Sequence, residues 1–220
     1  MTAHLSEIAQ QRTVRLIPTA YYKPPVLRAL VDNEAELELL EKLEGMTSKR
    51  LVDGVPTVGL DYDAWGRTYI SAAFTYRRKG GNRFNDETRG AWYAAFDDRT
   101  SLEEVAFHKT RELEYINHFY DQVQYRALHA SFIGRFHDIR NINPKPDCLH
   151  PDPHVGYPHG QAFSRELISQ KSRGLVYPSV RNPGGICLVA FQANVVQDLS
   201  PGACWQVTWN GVPRWTATTV

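Results

Sequence analysis

Hydrophobic positions first take a helical period between Asp32 and Leu43, where DNEAELELLEKL sets Leu37, Leu40 and Leu43 at helical spacing, with a capping residue before and Gly45 after. The spacing predicts an acidic surface helix. The run TYISAAF at Thr68 to Phe74 has strand-like content, and GAWYAAF at Gly90 to Phe96 repeats it beyond a glycine-rich turn, which predicts two strands joined by a loop. A second helix is expected from about Thr100. There T-S-L-E offers the hydroxyl of Thr100 and the carboxylate of Glu103 as a reciprocal capping box, and Leu102, Val105, Ala106, Leu113 and Ile116 follow at helical spacing. Gln122 to Ile133 alternates as a long strand. NINPKPDCLHPDPHVGYPHG, at 141–160, carries five prolines and is expected to be loop, with a third helix at about Gln161 to Ser172. GLVYP, ICLVAFQ and CWQVTW read as three more strands. Helices and strands without strict alternation predict an α+β fold.

Composition narrows the function classes. The 220 residues include 25 Lys and Arg against 24 Asp and Glu, so the net charge of +1 creates no bulk field toward nucleic acid or an anionic membrane. No stretch approaches the roughly 18 apolar residues of a spanning helix, and the N-terminal MTAHLSEIAQQR is polar where a secretion signal is apolar; the protein is expected to be soluble and cytoplasmic. Cys148, Cys187 and Cys204 are odd in number and far apart, so free thiols are expected. The glycine fingerprints for pyrophosphate in doubly wound sheets are missing. Cys148, His150, His154 and His159 form C-x-H-x3-H-x4-H, which matches no closed structural zinc pattern, and no metal is expected.

Functional residue types gather in four places: Arg15 in VRLIP, Arg83 in GGNRFND, Tyr93 with Glu104 across WYAAFDDRTSLEEVAFH, and Ser179 in GLVYPSVRNPGG. Taken singly, each has an ordinary explanation as a turn arginine, core aromatic, helix-surface charge or turn serine. Their order and surroundings resemble the RES family, whose members are toxins of bacterial toxin–antitoxin pairs. The resemblance runs from RLIPTAYYKPP and the acidic helix through SAAFTY, GNRFND, AWYAAF and TSLEEVAFH to GQAFSRELISQKSRGLVYPSVRNPGGICLVAF, so 1–220 is expected to be a single RES-type domain. Two local departures are Phe74-Thr75-Tyr76 where relatives often have Phe-Thr-His, and Gly81-Asn82-Arg83-Phe84 where they often have Gly-Ser-Arg-Phe. Some members place an active-site serine just before the third helix, where this chain has Pro158, His159 and Gly160.

The resemblance implies an ADP-ribosyltransferase-like fold of two packed β-sheets with surrounding helices, which consumes NAD as substrate, not as redox cofactor. Glu104 would stabilise positive charge on the ribose as the nicotinamide bond breaks. Arg83 and Arg15 would bind phosphate, because a guanidinium offers a planar fork of donors. Tyr93 would stack on nicotinamide or bond the ribose, Phe84 would wall the pocket, and Ser179 would add a hydroxyl contact. Adjacent residues point about 100° apart on a helix, so Glu103 is expected to serve the cap and Glu104 the site. The acceptor is water (glycohydrolase), phosphate (phosphorylase) or a protein side chain (ADP-ribosyltransferase). The implied partner is a cognate antitoxin with a helix-turn-helix domain, in an oligomeric complex. From a different class stands a non-enzymatic binding module displaying Trp205, Trp209 and Trp215, although period two puts Trp205 and Trp209 on one strand face.

Overall fold

A computed structural model describes residues 3–22 and 65–220; the helix expected over Asp32 to Leu43 lies outside them. The described residues form strand β1 (His4–Pro18), helix α1 (Arg67–Thr75), β2 (Trp92–Ala95), α2 (Asp98–Ile116), β3 (Tyr120–Asp138), α3 (Pro153–Ser169), β4 (Gly174–Pro178), β5 (Ile186–Ala190), β6 (Gln197–Asn210) and β7 (Trp215–Thr219). The fold is α+β.

All seven strands share one hydrogen-bonded sheet, in the order β1-β2-β5-β4-β3-β6-β7, in place of the two separate sheets expected. The reason is the length of β1 and β3. They pair antiparallel from His4↔Asp138 to Pro18↔Tyr125, with a bulge between Gln10 and Thr13. On its other edge β1 meets β2 at Val14↔Ala95, so strands β1, β2, β5, β4 and β3 close into a ring. The first half of β3 pairs with β6 on that edge and its last residues pair parallel with β4, so β6 and β7 extend from the ring as a wing.

Each helix seals one apolar cluster. α1 brings Ile70 and Phe74 onto Trp92, Phe132, Phe136 and Leu188. α3 brings Phe163 and Leu167 onto Phe84, Leu149, Leu175 and Val189. α2 brings Leu102, Ala106 and Leu113 onto Val14, Leu16, Val207 and Trp209. Burying each of the larger side chains contributes about 1.5–3 kcal/mol.

Three local expectations change. TYISAAF is helix α1 because Ile70, Ala73 and Phe74 recur at helical spacing toward the first cluster, and Gly66 enters the helix in the left-handed region at φ 83°. α3 starts at Pro153, well before Gln161. Pro153 stands in the first turn, where a missing N–H costs nothing, and Asp152 caps the helix by accepting the His154 N–H at 2.9 Å. Pro158 is inside the helix, but both it and His154, whose carbonyl loses its partner, are exposed to water. The cap of α2 is Asp97, whose carboxylate accepts the Thr100 N–H on Oδ1 and the Thr100 hydroxyl on Oδ2, each at 2.7 Å; Glu103 instead pairs with Arg99. The cysteines are free, as expected. Trp209 is 1% exposed and donates its indole N–H to Thr110 at 2.9 Å, while Trp205 and Trp215 pack partly buried against the same cluster. Among the described residues no helix is long and apolar enough to cross a membrane.

Candidate active site

A cavity of about 860 Å³ opens between β1, α1, β2, α2 and the loop that carries Arg83. That is within the usual range for small-molecule sites. Arg15, Arg83, Tyr93 and Glu104, four of the residues singled out by sequence, all line it.

Arg83 is 7% exposed, yet its guanidinium has partners: Nη1 donates to the carbonyls of Cys148 at 2.7 Å and His150 at 3.0 Å. The Cys148–His150 motif therefore contributes backbone oxygens, and no three His, Cys, Asp or Glu side chains converge as metal ligands among the described residues. Two glycines of α3 admit the arginine. A Cβ at Gly156 would stand 2.5 Å from Arg83 Nη1, and one at Gly160 would stand 2.1 Å from its carbonyl oxygen. The Pro158–Gly160 stretch thus acts through the backbone contact of Gly160, while His154 and His159 are exposed outside the cavity lining.

The Arg83 loop is fastened further. The Tyr93 hydroxyl accepts the Phe84 N–H at 2.9 Å and donates to Asn85 at 2.8 Å, and Asn85 donates to the Arg89 carbonyl at 2.8 Å. Gln161 donates to the carbonyls of Gly80 and Asn82 at 2.9 and 3.0 Å. Burial drives the Tyr93 phenol far above its ordinary pKa, so it stays a neutral donor. Its hydroxyl ties the loop and is not left over for a ribose. Phe84 does not wall the cavity: it is 0% exposed and packs edge-on against Tyr177, at 4.7 Å between ring centres.

Arg15 lies over the Trp92 ring at 4.8 Å and donates to the Tyr93 carbonyl at 3.1 Å. Burial lowers its pKa to about 10, so it remains a cation at neutral pH.

Glu104 faces the cavity from the second turn of α2, and its neighbour Glu103 points elsewhere, as adjacent helical positions require. Ser179 stands behind it. The serine hydroxyl donates to Glu104 Oε1 at 2.7 Å and accepts the N–H groups of Arg181 at 3.1 Å and Asn182 at 3.0 Å. Asn182 in turn donates to Thr100 at 2.8 Å, which fixes the turn after β4 on the first turn of α2. Ser179 therefore orients the carboxylate and is not itself among the residues lining the cavity. The buried Cys187 thiol lies 3.8 Å from Glu104 Oε1; burial first and then that charge push its pKa well up, so it is not a thiolate nucleophile.

Among the lining residues that sequence reasoning missed are His108, Tyr157 and Arg181. His108 was legible in principle, because it follows Glu104 by four positions and so shares its helix face. Burial, reinforced by Arg78, Arg181, Arg111 and Arg83, lowers its pKa to about 4 and keeps it neutral. Tyr157 lay in the segment read as loop; its ring is 5.3 Å from the Arg83 guanidinium. Arg181 gave no local signal, since only the turn after β4 brings it to α2.

Residues 61–210 match the model of the RES domain, and the chain belongs to that family. The match includes Arg83, Tyr93, Glu104 and Ser179, while Arg15 precedes it. No curated protein matches the chain significantly.

Proposed function

We propose that the protein cleaves the nicotinamide–ribose bond of NAD and passes the ADP-ribosyl group to water or phosphate. One observation carries the reading: among the described residues lining the cavity, three guanidinium groups (Arg15, Arg83 and Arg181) surround a single carboxylate, Glu104. A dinucleotide presents the complementary pattern, a pyrophosphate beside a sugar that becomes cationic as its glycosidic bond breaks. In the reaction the bond from ribose C1′ to the nicotinamide nitrogen breaks and nicotinamide leaves with the electron pair. An acceptor oxygen bonds C1′ and releases its proton. Glu104, oriented by Ser179, stabilises the oxocarbenium-like charge, and Arg15 and Arg83 hold the phosphates.

The test is nicotinamide release from NAD by the purified protein. Glu104→Gln should reduce it about 10²- to 10³-fold with the fold intact, as expected for loss of one preorganised charge at the reacting centre. Full turnover by folded Glu104→Gln removes Glu104 from the mechanism, and absence of release from the unaltered protein removes NAD cleavage. The same reading makes the protein the toxin of a pair, held inactive by an antitoxin with a helix-turn-helix domain. Co-expression with the neighbouring open reading frame should relieve toxicity and yield a copurifying complex.

A further inference from the structure

The three arginines of the cavity differ in how their donors are used. Arg83 commits Nη1 to two carbonyls, and Arg15 commits Nη1 to one. Arg181 makes no side-chain hydrogen bond and no ion pair among the described residues, and its Nη2 is buried with no partner. What holds it is an aromatic face: its Cζ lies 3.3 Å from the centre of the Phe107 ring. A ring face attracts the cation but does not satisfy five in-plane N–H donors.

Arg181 is half-buried and lines the cavity, and a guanidinium whose donors the chain leaves unpartnered there is suited to a partner that enters from outside. Like charges sharpen the point. Burial and then Arg83 lower the pKa of Arg181, while Glu104 raises it without forming an ion pair with it among the described residues. Arg83 keeps Nε and Nη2 free of protein partners among the described residues. An oxyanion between the two guanidinium groups would satisfy both and relieve their repulsion.

We propose that Arg181 is a phosphate-binding residue of the cavity, acting jointly with Arg83 on one phosphoryl group next to Glu104. The NAD reading enters only through the phosphate's owner, either the pyrophosphate of the dinucleotide or a free orthophosphate serving as acceptor.

The experiment titrates the purified protein with inorganic pyrophosphate and with orthophosphate by calorimetry, and measures nicotinamide release against NAD at varied orthophosphate. Arg181→Gln removes the charge; Arg181→Met also removes it but keeps a long stem on Phe107, in case the first variant folds poorly. A charge-assisted pair predicts that either folded variant binds the relevant anion about ten- to a hundredfold more weakly. Weaker pyrophosphate binding with a raised KM for NAD assigns the site to the dinucleotide. Weaker orthophosphate binding with lost phosphate stimulation of nicotinamide release assigns it to the acceptor. Anion affinities unchanged in a folded variant, or no binding of either anion by the unaltered protein, overturn the proposal. Anion binding that depends on Arg181 without any nicotinamide release would overturn NAD cleavage alone.

Discussion

The loop that carries Arg83 is fastened by Tyr93, Asn85, Gln161 and two carbonyls before α3, whereas the side chain of Arg181, on the turn after β4, rests on the Phe107 ring face without a hydrogen bond among the described residues. Both walls present a guanidinium to the same cavity. On the first wall the protein fixes the cation in advance, so little reorganisation is needed when an anion arrives. On the second it fixes the neighbouring carboxylate through Ser179 and leaves the cation's own donors open. The difference separates a cation fixed in advance, with Nε and Nη2 still open, from one whose side-chain donors have no protein partner among the described residues.

The strongest way to break this contrast is Gly160→Ala, which drives a Cβ to 2.1 Å from the Arg83 carbonyl oxygen, a backbone atom that cannot rotate away. Overpacking of this kind costs about 1–3 kcal/mol in stability. Displacing the loop by about 1 Å should lower kcat/KM for NAD about a hundredfold. Retention of both stability and kcat/KM would show that the loop tolerates movement. Ser179→Ala probes the other wall more gently. It removes the donor that orients Glu104, so nicotinamide release should fall about tenfold, the worth of one hydrogen bond to a charged group, with KM for NAD nearly unchanged. A rise in KM with kcat intact would instead mark the hydroxyl as a ligand contact. The smallest effect belongs to Glu103→Gln. Its pair with the exposed Arg99 is an i,i+4 contact on the helix surface worth about 0.3–0.5 kcal/mol, so thermal unfolding should shift only slightly and turnover not at all. Loss of turnover in that variant would contradict the assignment of Glu104 over Glu103.

Part of the candidate site was legible before any geometry. The separation of Glu103 from Glu104 follows from helical rotation, and the period of Leu102, Ala106 and Leu113 locates their helix. The cap was misread because Asp97 lies three positions ahead of Thr100 and claims both its polar groups, a competition that a capping-box motif does not rank. TYISAAF is too short for its period to distinguish a strand from a buried helix, and only contact with Trp92 and Phe132 decides it. The prolines of α3 were counted without regard to position, although Pro153 in the first turn favours a helix start. β1 and β7 carry few apolar residues and owe their extended form to partners far away in sequence, so no local pattern announces them. For the same reason no local pattern told that Phe84 packs on Tyr177 and that Ser179 bonds Glu104. A residue type suggests chemistry, while its contacts depend on the turn that carries it.

The ring of strands also has a temporal side. β1 precedes its partner β3 by a long stretch of chain: the Thr13 hydroxyl bonds the Ala130 carbonyl, 117 positions later. Until β3 has left the ribosome, Arg15 has no assembled cavity to enter and the first strand has no edge to join. Such distant pairing is slow to form. The cavity wall that carries Arg15 is therefore completed only by a strand 117 positions further along the chain.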